Sequence, residues 1–245
     1  MLTPMNSLGA LNLGALKKIV SAAALAGLLA GLLLTGIQEL QVNPIILKAE
    51  VYEDAAAIPQ EVAHLHSGAE AEHHEHAAGA WQPANGWERT VFTALANISL
   101  AVGLGLLVGA GISLRDEESG WRAGLLWGVA GYLVFFVAPS LGLPPAVPGT
   151  TAAPLVDRQI WWMITVLATV MGLALLIFAK NWKLKIFGAV LLVVPHILGA
   201  PQPQVYASAA PAELARTFIY ATAAANAAFW LALGGLMGFF YKKFS

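Results

Sequence analysis

Cysteine is absent from the 245 residues of this chain. Its absence excludes disulfide bonds and thiolate metal sites, so only histidine, carboxylate and other oxygen or nitrogen ligands are available. Charge is also scarce: charged residues make up 11% of the chain, whereas a soluble domain carries about 25%. The net charge of −1 provides no basic surface, and we therefore expect no nucleic-acid partner.

Motifs for catalysis and for nucleotide binding are also missing. The chain contains no G-x-x-x-x-G-K-[ST] phosphate-binding loop and no H-E-x-x-H zinc motif. No serine or threonine is paired with a base in a recognisable catalytic pattern. The sequence therefore predicts that the protein is not an enzyme and does not hydrolyse ATP.

Apolar runs dominate what is present, since 58% of the residues are hydrophobic. Six runs approach or exceed the roughly 20 residues that a membrane span needs. They are Ile19–Leu40, Thr90–Leu114, Trp121–Ala138, Gln159–Ala179, Leu184–Ala200 and Ala215–Tyr241. We predict an all-α membrane protein with six transmembrane helices in one domain, residues 19–245, after a cytoplasmic segment, residues 1–18. The fifth run is short, and Pro195 is expected to interrupt it.

The basic residues predict the orientation. Nine of the 13 flank one side of the spans: Lys17, Lys18, Arg115, Arg122, Lys180, Lys183, Lys185, Lys242 and Lys243. The other four, Lys48, Arg89, Arg158 and Arg216, flank the opposite side. By the positive-inside rule, both termini lie in the cytoplasm and the polar segment 41–89 lies outside. The expected location is the cytoplasmic (inner) membrane of a bacterium.

Related patterns recur along the chain and predict three helical hairpins of common plan. The first and third runs each contain G-x-x-x-G, at Gly27 and at Gly124, a motif that lets helices approach closely in lipid. The runs expected to return to the cytoplasm open with Arg89, Arg158 and Arg216. These arginines either reflect a repeat or simply anchor each helix at the interface beside a carboxylate.

The segment 41–89 contains the most distinctive pattern, because five of the six histidines lie between residues 64 and 76. It also holds eight of the 14 acidic residues, which would concentrate cations. Imidazole and carboxylate together suit a divalent transition metal. The candidate ligands are His64, His66, His73, His74, His76, Glu72 and Glu75. An extended backbone would place His64 and His66 on one face. The alternative is a solvated polar loop.

Two polar residues at the ends of spans complete the candidate metal path. Glu39 ends the first run, and His196 follows Pro195 near the end of the fifth. We predict that they form an entry site, with Asn43 or Gln38 as a further ligand. The alternatives are a water-facing Glu39 and a His196 bonded to backbone. Asn97 and Asn226 lie deeper in their spans and are expected to join helices by hydrogen bonds.

A series of short motifs, spread over nearly the whole chain, resembles the CbtA-type family of predicted cobalt transporter subunits. They include Ala49-Glu50-Val51-Tyr52-Glu53, Trp87-Glu88-Arg89-Thr90, Gly124-Leu125-Leu126-Trp127-Gly128, Arg158-Gln159-Ile160-Trp161-Trp162 and Pro195-His196-Ile197-Leu198-Gly199-Ala200-Pro201. The resemblance implies cobalt uptake linked to cobalamin biosynthesis. It also implies a partner, a small single-span B subunit with its own histidines.

The function predicted from these observations is inward transport of a divalent metal, in which the histidine-rich segment captures the ion and Glu39 and His196 pass it inward. Cobalt follows from the resemblance, whereas the ligand types fit nickel or zinc equally. The alternative is a metal-binding or structural subunit of a larger membrane complex that does not transport. A homo-oligomer is also left open.

Overall fold

The computed structural model describes residues 13–66, 83–115 and 120–244, with the backbone alone for 57–66. Nearly all of the described chain is helical, and Thr150 and Ser208 form an isolated β-bridge. The helices are α1 (Leu13–Ile37), α2 (Asn43–His66), α3 (Trp87–Leu114), α4 (Trp121–Tyr132), α5 (Ala138–Gly142), α6 (Leu155–Phe178), α7 (Trp182–Leu198) and α8 (Ala212–Lys243). Two π-helical segments, Gln38–Val42 and Leu133–Val137, join α1 to α2 and α4 to α5.

The helical class is confirmed, and several helices have the length and composition of membrane spans. Among the described residues, five candidate spans meet both criteria: Leu13–Ala56, Trp87–Leu114, Trp121–Gly142, Leu155–Phe178 and Ala212–Lys243. Helix α7 has 17 residues and is therefore about 25 Å long, slightly less than the ~30 Å hydrocarbon core. The count of six spans and the side on which the termini lie remain predictions.

Side chains on the candidate spans are distributed as a membrane environment requires. In α1 the buried positions are mostly alanine and glycine, including Ala23, Ala26 and Gly27, whereas Leu28 and Leu32 are exposed. Between helices in lipid, association depends on close packing of small residues, and large apolar side chains face the lipid tails. The exposed leucines would be unfavourable over such an area in water.

The first helix is longer than the sequence predicted. The first apolar run was expected to end at Leu40 and to lead into a loop, but the backbone continues through the first π-helical segment and α2 as far as His66. The third run likewise continues beyond Ala138 to Gly142. Residues 43–57 are more polar than the apolar run before them, but they still have a high helical propensity. The helix therefore continues beyond the point where the apolar run ends.

Proline explains both π-helical segments. Pro44 and Pro139 each stand two residues after the end of such a segment. Proline has no N–H and its ring disturbs the preceding turn, so that the helix widens locally, and the first turn of the next helix then accepts proline. Pro195, by contrast, does not interrupt its helix, because α7 continues to Leu198 and ends at Gly199 with φ +82°.

The chain forms two compact units. One comprises the described parts of Met1–Thr35, Thr93–Tyr132 and Asn226–Ser245, and the other those of Gly36–Phe92 and Leu133–Ala225. In the first unit, Gly124 lies against Gly234 and Gly238 of α8, and Gly27 of α1 lies against Val102 of α3. These contacts confirm close packing at both G-x-x-x-G motifs. In the second unit α6 and α7 pack along their length, with Gly172 against Gly188.

Candidate metal site

Most of the predicted histidine cluster lies outside the described residues, namely Glu72, His73, His74, Glu75 and His76. His64 and His66 lie at the C-terminal end of α2, where the backbone is helical rather than extended. Positions two residues apart are separated by about 200° around a helix. The expectation of an extended backbone at these two positions is therefore wrong.

Glu39 lies in the first π-helical segment and is half-buried. One of its carboxylate oxygens accepts a hydrogen bond of 2.9 Å from the hydroxyl of Thr90, at the start of α3. The N–H of Asn43 bonds to the carbonyl of Gln38, and Pro44 has no N–H to offer. The two positions whose N–H groups could donate a hydrogen bond to the carbonyl oxygen of Glu39 are thus unavailable. Glu39 consequently offers both a carboxylate oxygen and a main-chain carbonyl oxygen as potential ligands.

Further along the chain, in α2, Glu50 forms an ion pair of 3.1 Å with Arg89. Arg89 also donates to the side chain of Asn85 at 3.0 Å, and Glu88 accepts from the backbone N–H of Ala84. These bonds fix the start of α3, where Thr90 reaches Glu39. The Arg89 side chain is 31% exposed and that of Glu50 34%, so solvent screens the pair substantially.

The three arginines at the starts of the return helices do not share one environment. Arg89 has Glu50, and Arg216 pairs with Glu213 at 3.3 Å, which fits the alternative of a helix anchor beside a carboxylate at these two positions. Arg158 instead donates from Nε to the carbonyl of Ala153 at 2.9 Å. That alternative does not describe Arg158, whose bond is to a backbone carbonyl of the chain before α6.

His196 is half-buried on α7 and packs edge-on against the ring of Trp161, with the ring centroids 6.1 Å apart. The indole N–H of Trp161 donates to the carbonyl of Pro195 at 3.3 Å, which fixes α6 against α7 at this level. His196 also lines a cavity of about 480 Å³, together with Thr169 and apolar side chains of Leu133, Val137 and others.

Two threonines on α6 were not predicted from the sequence, and one of them, Thr169, lines the same cavity as this histidine. Thr165 and Thr169 follow Trp161 at intervals of four residues and are buried on α6. Each hydroxyl donates to the carbonyl four residues earlier, at 2.9 and 2.7 Å. Their oxygen lone pairs remain able to accept. The i, i+4, i+8 spacing was visible in the sequence and could have indicated one polar face.

Asn97 was expected to join helices, and this is confirmed. Its amide donates to the hydroxyl of Thr35 at 3.0 Å, and that hydroxyl donates to the carbonyl of Gly31 at 2.9 Å. Both side chains are buried between α1 and α3. The pair therefore stabilises helix packing within the first unit.

The structure does not bring Glu39 and His196 together directly. Glu39 bonds to Thr90, whereas His196 lines a cavity to which Glu39 does not contribute. In the part of the chain that the structure describes, no group of three or more histidine, aspartate or glutamate side chains is placed to hold a metal ion. The described residues offer two separate partial ligand sets, one at each position.

Comparison with known proteins identifies the family of this chain. The model of CbtA, described as "Probable cobalt transporter subunit", matches residues 16–242. Comparisons with curated proteins and with solved structures find no match. The family match spans almost the entire sequence and covers the five candidate spans except for the first three residues of the first and the last residue of the last. The chain therefore belongs to the CbtA family of probable cobalt transporter subunits.

Proposed function

We propose that this chain is the membrane subunit of an inward cobalt transporter in a bacterial cytoplasmic membrane. The histidine-rich segment captures the ion outside, and Glu39 and then His196 pass it inward. The family membership supports cobalt as cargo. The structural observation that carries the path is Glu39, a half-buried carboxylate within a π-helical segment of a candidate span.

Glu39 is suited to receive a cation that leaves the outer segment. Glu39 follows Lys18 by 21 residues, which is about 32 Å of helix, or one hydrocarbon thickness. With Lys18 predicted at the cytoplasmic surface, we expect Glu39 near the outer one. The second carboxylate oxygen of Glu39 and its main-chain carbonyl oxygen form a partial set of oxygen ligands for the ion.

His196 is suited to be the next ligand. It is the one histidine whose side chain the structure describes, and its imidazole lines a cavity beside Thr169. Cobalt, nickel and zinc all accept imidazole nitrogen, and the hydroxyl oxygen of Thr169 is a weak additional ligand in the same cavity. Such a sparse site would bind an ion weakly, as conduction requires.

The membrane potential is sufficient to drive uptake. A potential of about 100 mV contributes roughly 2.3 kcal/mol per charge, hence about 4.6 kcal/mol for a divalent ion entering an inside-negative compartment. At about 1.4 kcal/mol for each tenfold ratio, this supports accumulation by about three orders of magnitude. No nucleotide-binding domain is needed in this chain.

A partner completes the proposal, since the family is described as a transporter subunit. We propose a small single-span subunit that carries its own histidines, and cobalamin biosynthesis as the use of the metal. The alternative function is a metal-binding or structural subunit that stores or senses metal without transporting it. The exposed apolar flanks of α6 and α7 favour neither reading, because both lipid and a partner helix can cover them.

Uptake of radioactive cobalt into proteoliposomes separates these functions. The liposomes contain the full chain, with and without the partner, under an imposed inside-negative potential. We expect potential-dependent uptake that Glu39→Gln lowers at least about tenfold, by analogy with the loss of a metal-site group, and that His196→Ala abolishes. Glu213→Gln is the matched control, because Glu213 is a highly exposed carboxylate paired with Arg216.

The outcomes discriminate clearly. Uptake that depends on Glu39 and His196 but not on Glu213 supports the transport path. Metal binding without uptake, even when the partner is present, supports the storage or sensing role instead. Equal losses in all three variants would contradict the assignment of the path to Glu39 and His196.

A further inference from the structure

A second and larger cavity, of about 810 Å³, lies at the start of α6 and belongs to no part of the metal path. Two loops bound it, one before α6 and one before α8. Backbone hydrogen bonds hold the loops together, from Thr151 to the carbonyl of Ala207 at 2.9 Å and from Ala209 to the carbonyl of Gly149 at 3.0 Å. Gly149 adopts φ +73°, which few other residues tolerate. The cavity is thus built by an ordered pair of loops.

Arg158 is the sole charged residue among those that line this cavity. Its Nε donates to the carbonyl of Ala153, and in the described part of the chain no protein acceptor meets its two terminal nitrogens. Asp157 is adjacent in sequence but is not part of the cavity wall. Arg89 and Arg216, by contrast, are each paired with a carboxylate. A half-buried guanidinium at the wall of the cavity therefore has four N–H donors that no described protein acceptor uses.

The remaining wall includes both polar and apolar residues. Gln159, Gln202 and Tyr206 place amide and phenol groups on the same cavity as Arg158. Trp162 and Met163 continue the wall along α6, where the Met163 side chain is 55% exposed. Tryptophan and tyrosine at the end of a membrane helix mark the headgroup level of a bilayer.

We infer that this cavity binds the phosphate group of a phospholipid headgroup at Arg158. The planar guanidinium matches the geometry of two phosphate oxygens and forms charge-assisted bonds with them. A bound phosphate would also neutralise the charge of the Arg158 guanidinium, which has no carboxylate partner among the described residues. The lipid is the favoured source of this phosphate because Trp162 and Met163, which line the same cavity, are also exposed on α6, where acyl chains can lie.

Native mass spectrometry of the full chain in detergent micelles tests this inference. The delipidated protein is titrated with dioleoylphosphatidylglycerol and, in parallel, with dioleoylglycerol, which has the same chains and no phosphate. We expect one phosphatidylglycerol to bind at least about tenfold more tightly than dioleoylglycerol. Bonds to charged groups of this kind predict that Arg158→Gln weakens binding about 10- to 100-fold.

Two further variants serve as controls. Arg216→Gln removes an exposed arginine at the corresponding start of α8 and should leave the affinity unchanged. Arg158→Lys keeps the charge but not the planar fork, and should give an intermediate affinity even where Arg158→Gln fails to fold. The competition between phosphatidylglycerol and inorganic phosphate is measured on the unaltered chain and needs no variant.

Each outcome of these binding measurements either supports or overturns the proposed phosphate site. A phosphate-dependent affinity that requires Arg158 and not Arg216 supports the site. Equal binding of the two lipids, or equal losses in the Arg158 and Arg216 variants, overturns it. Displacement of the lipid by millimolar inorganic phosphate overturns the lipid as the source and assigns the cavity to a free anion.

Discussion

We expect the substitution Gly124→Ala to destabilise the protein, because a methyl group at this position meets the backbone of α8. An ideal Cβ at Gly124 would lie 2.9 Å from both the Cα and the nitrogen of Gly238 and still closer to the carbonyl oxygen of Gly234. These are backbone atoms, so no side-chain rotation can relieve the contact. Carbon atoms pack best at about 3.5–4.0 Å, so the helices must separate by roughly 0.6 Å or more.

The cost of this separation is the stability lost along the whole contact between α4 and α8. A gap of 0.5–1 Å forfeits about a quarter to a half of each van der Waals contact, and overpacking costs about 1–3 kcal/mol in well-packed interiors. Gly103→Ala is the matched control, since a Cβ there meets nothing within 4 Å. Both substitutions gain about 1 kcal/mol of helix propensity, and the gain cancels in the comparison.

The assay is reversible unfolding of the purified chain in mixed micelles as the fraction of sodium dodecyl sulfate rises, followed by circular dichroism. We expect the free energy of unfolding of Gly124→Ala to lie about 1–3 kcal/mol below that of Gly103→Ala. Equal stabilities of the two variants would refute the reasoning, because the close approach of α4 and α8 would then contribute nothing.

Three further outcomes are expected. Trp161→Phe removes the hydrogen bond to Pro195 and should lower the free energy of unfolding by about 1 kcal/mol in the same assay; an unchanged value would show that the bond does not stabilise the pair α6–α7. Glu50→Gln should cost less than about 1 kcal/mol, because its pair with Arg89 is partly exposed; a loss of several kcal/mol would contradict a solvent-screened pair. Deletion of residues 64–76 should raise the apparent KM for cobalt uptake and leave the maximal rate, whereas abolished uptake would mean that the segment does more than capture the ion.

Local patterns determined the class of the fold. The lengths of the apolar runs and the scarcity of charge predicted membrane helices, and the G-x-x-x-G motifs at Gly27 and Gly124 predicted close helix packing. Asn97 was likewise assigned correctly to a hydrogen bond between helices. These predictions succeeded because burial in lipid and the need for small residues at close contacts act on a residue through its neighbours along one helix.

The partners of individual polar groups were decided by the tertiary structure. Arg89 and Arg158 open similar segments in the sequence, yet one meets Glu50 and the other a backbone carbonyl. Thr90 reaches Glu39 across 51 residues, and Trp161 reaches Pro195 across 34. The sequence also placed a loop where α2 continues to His66, because hydropathy reports the end of an apolar run and not the end of a helix. Composition and spacing thus determined which segments are apolar helices, whereas the pairing of polar side chains depended on how distant segments pack, since a hydrogen bond requires both groups within about 3 Å.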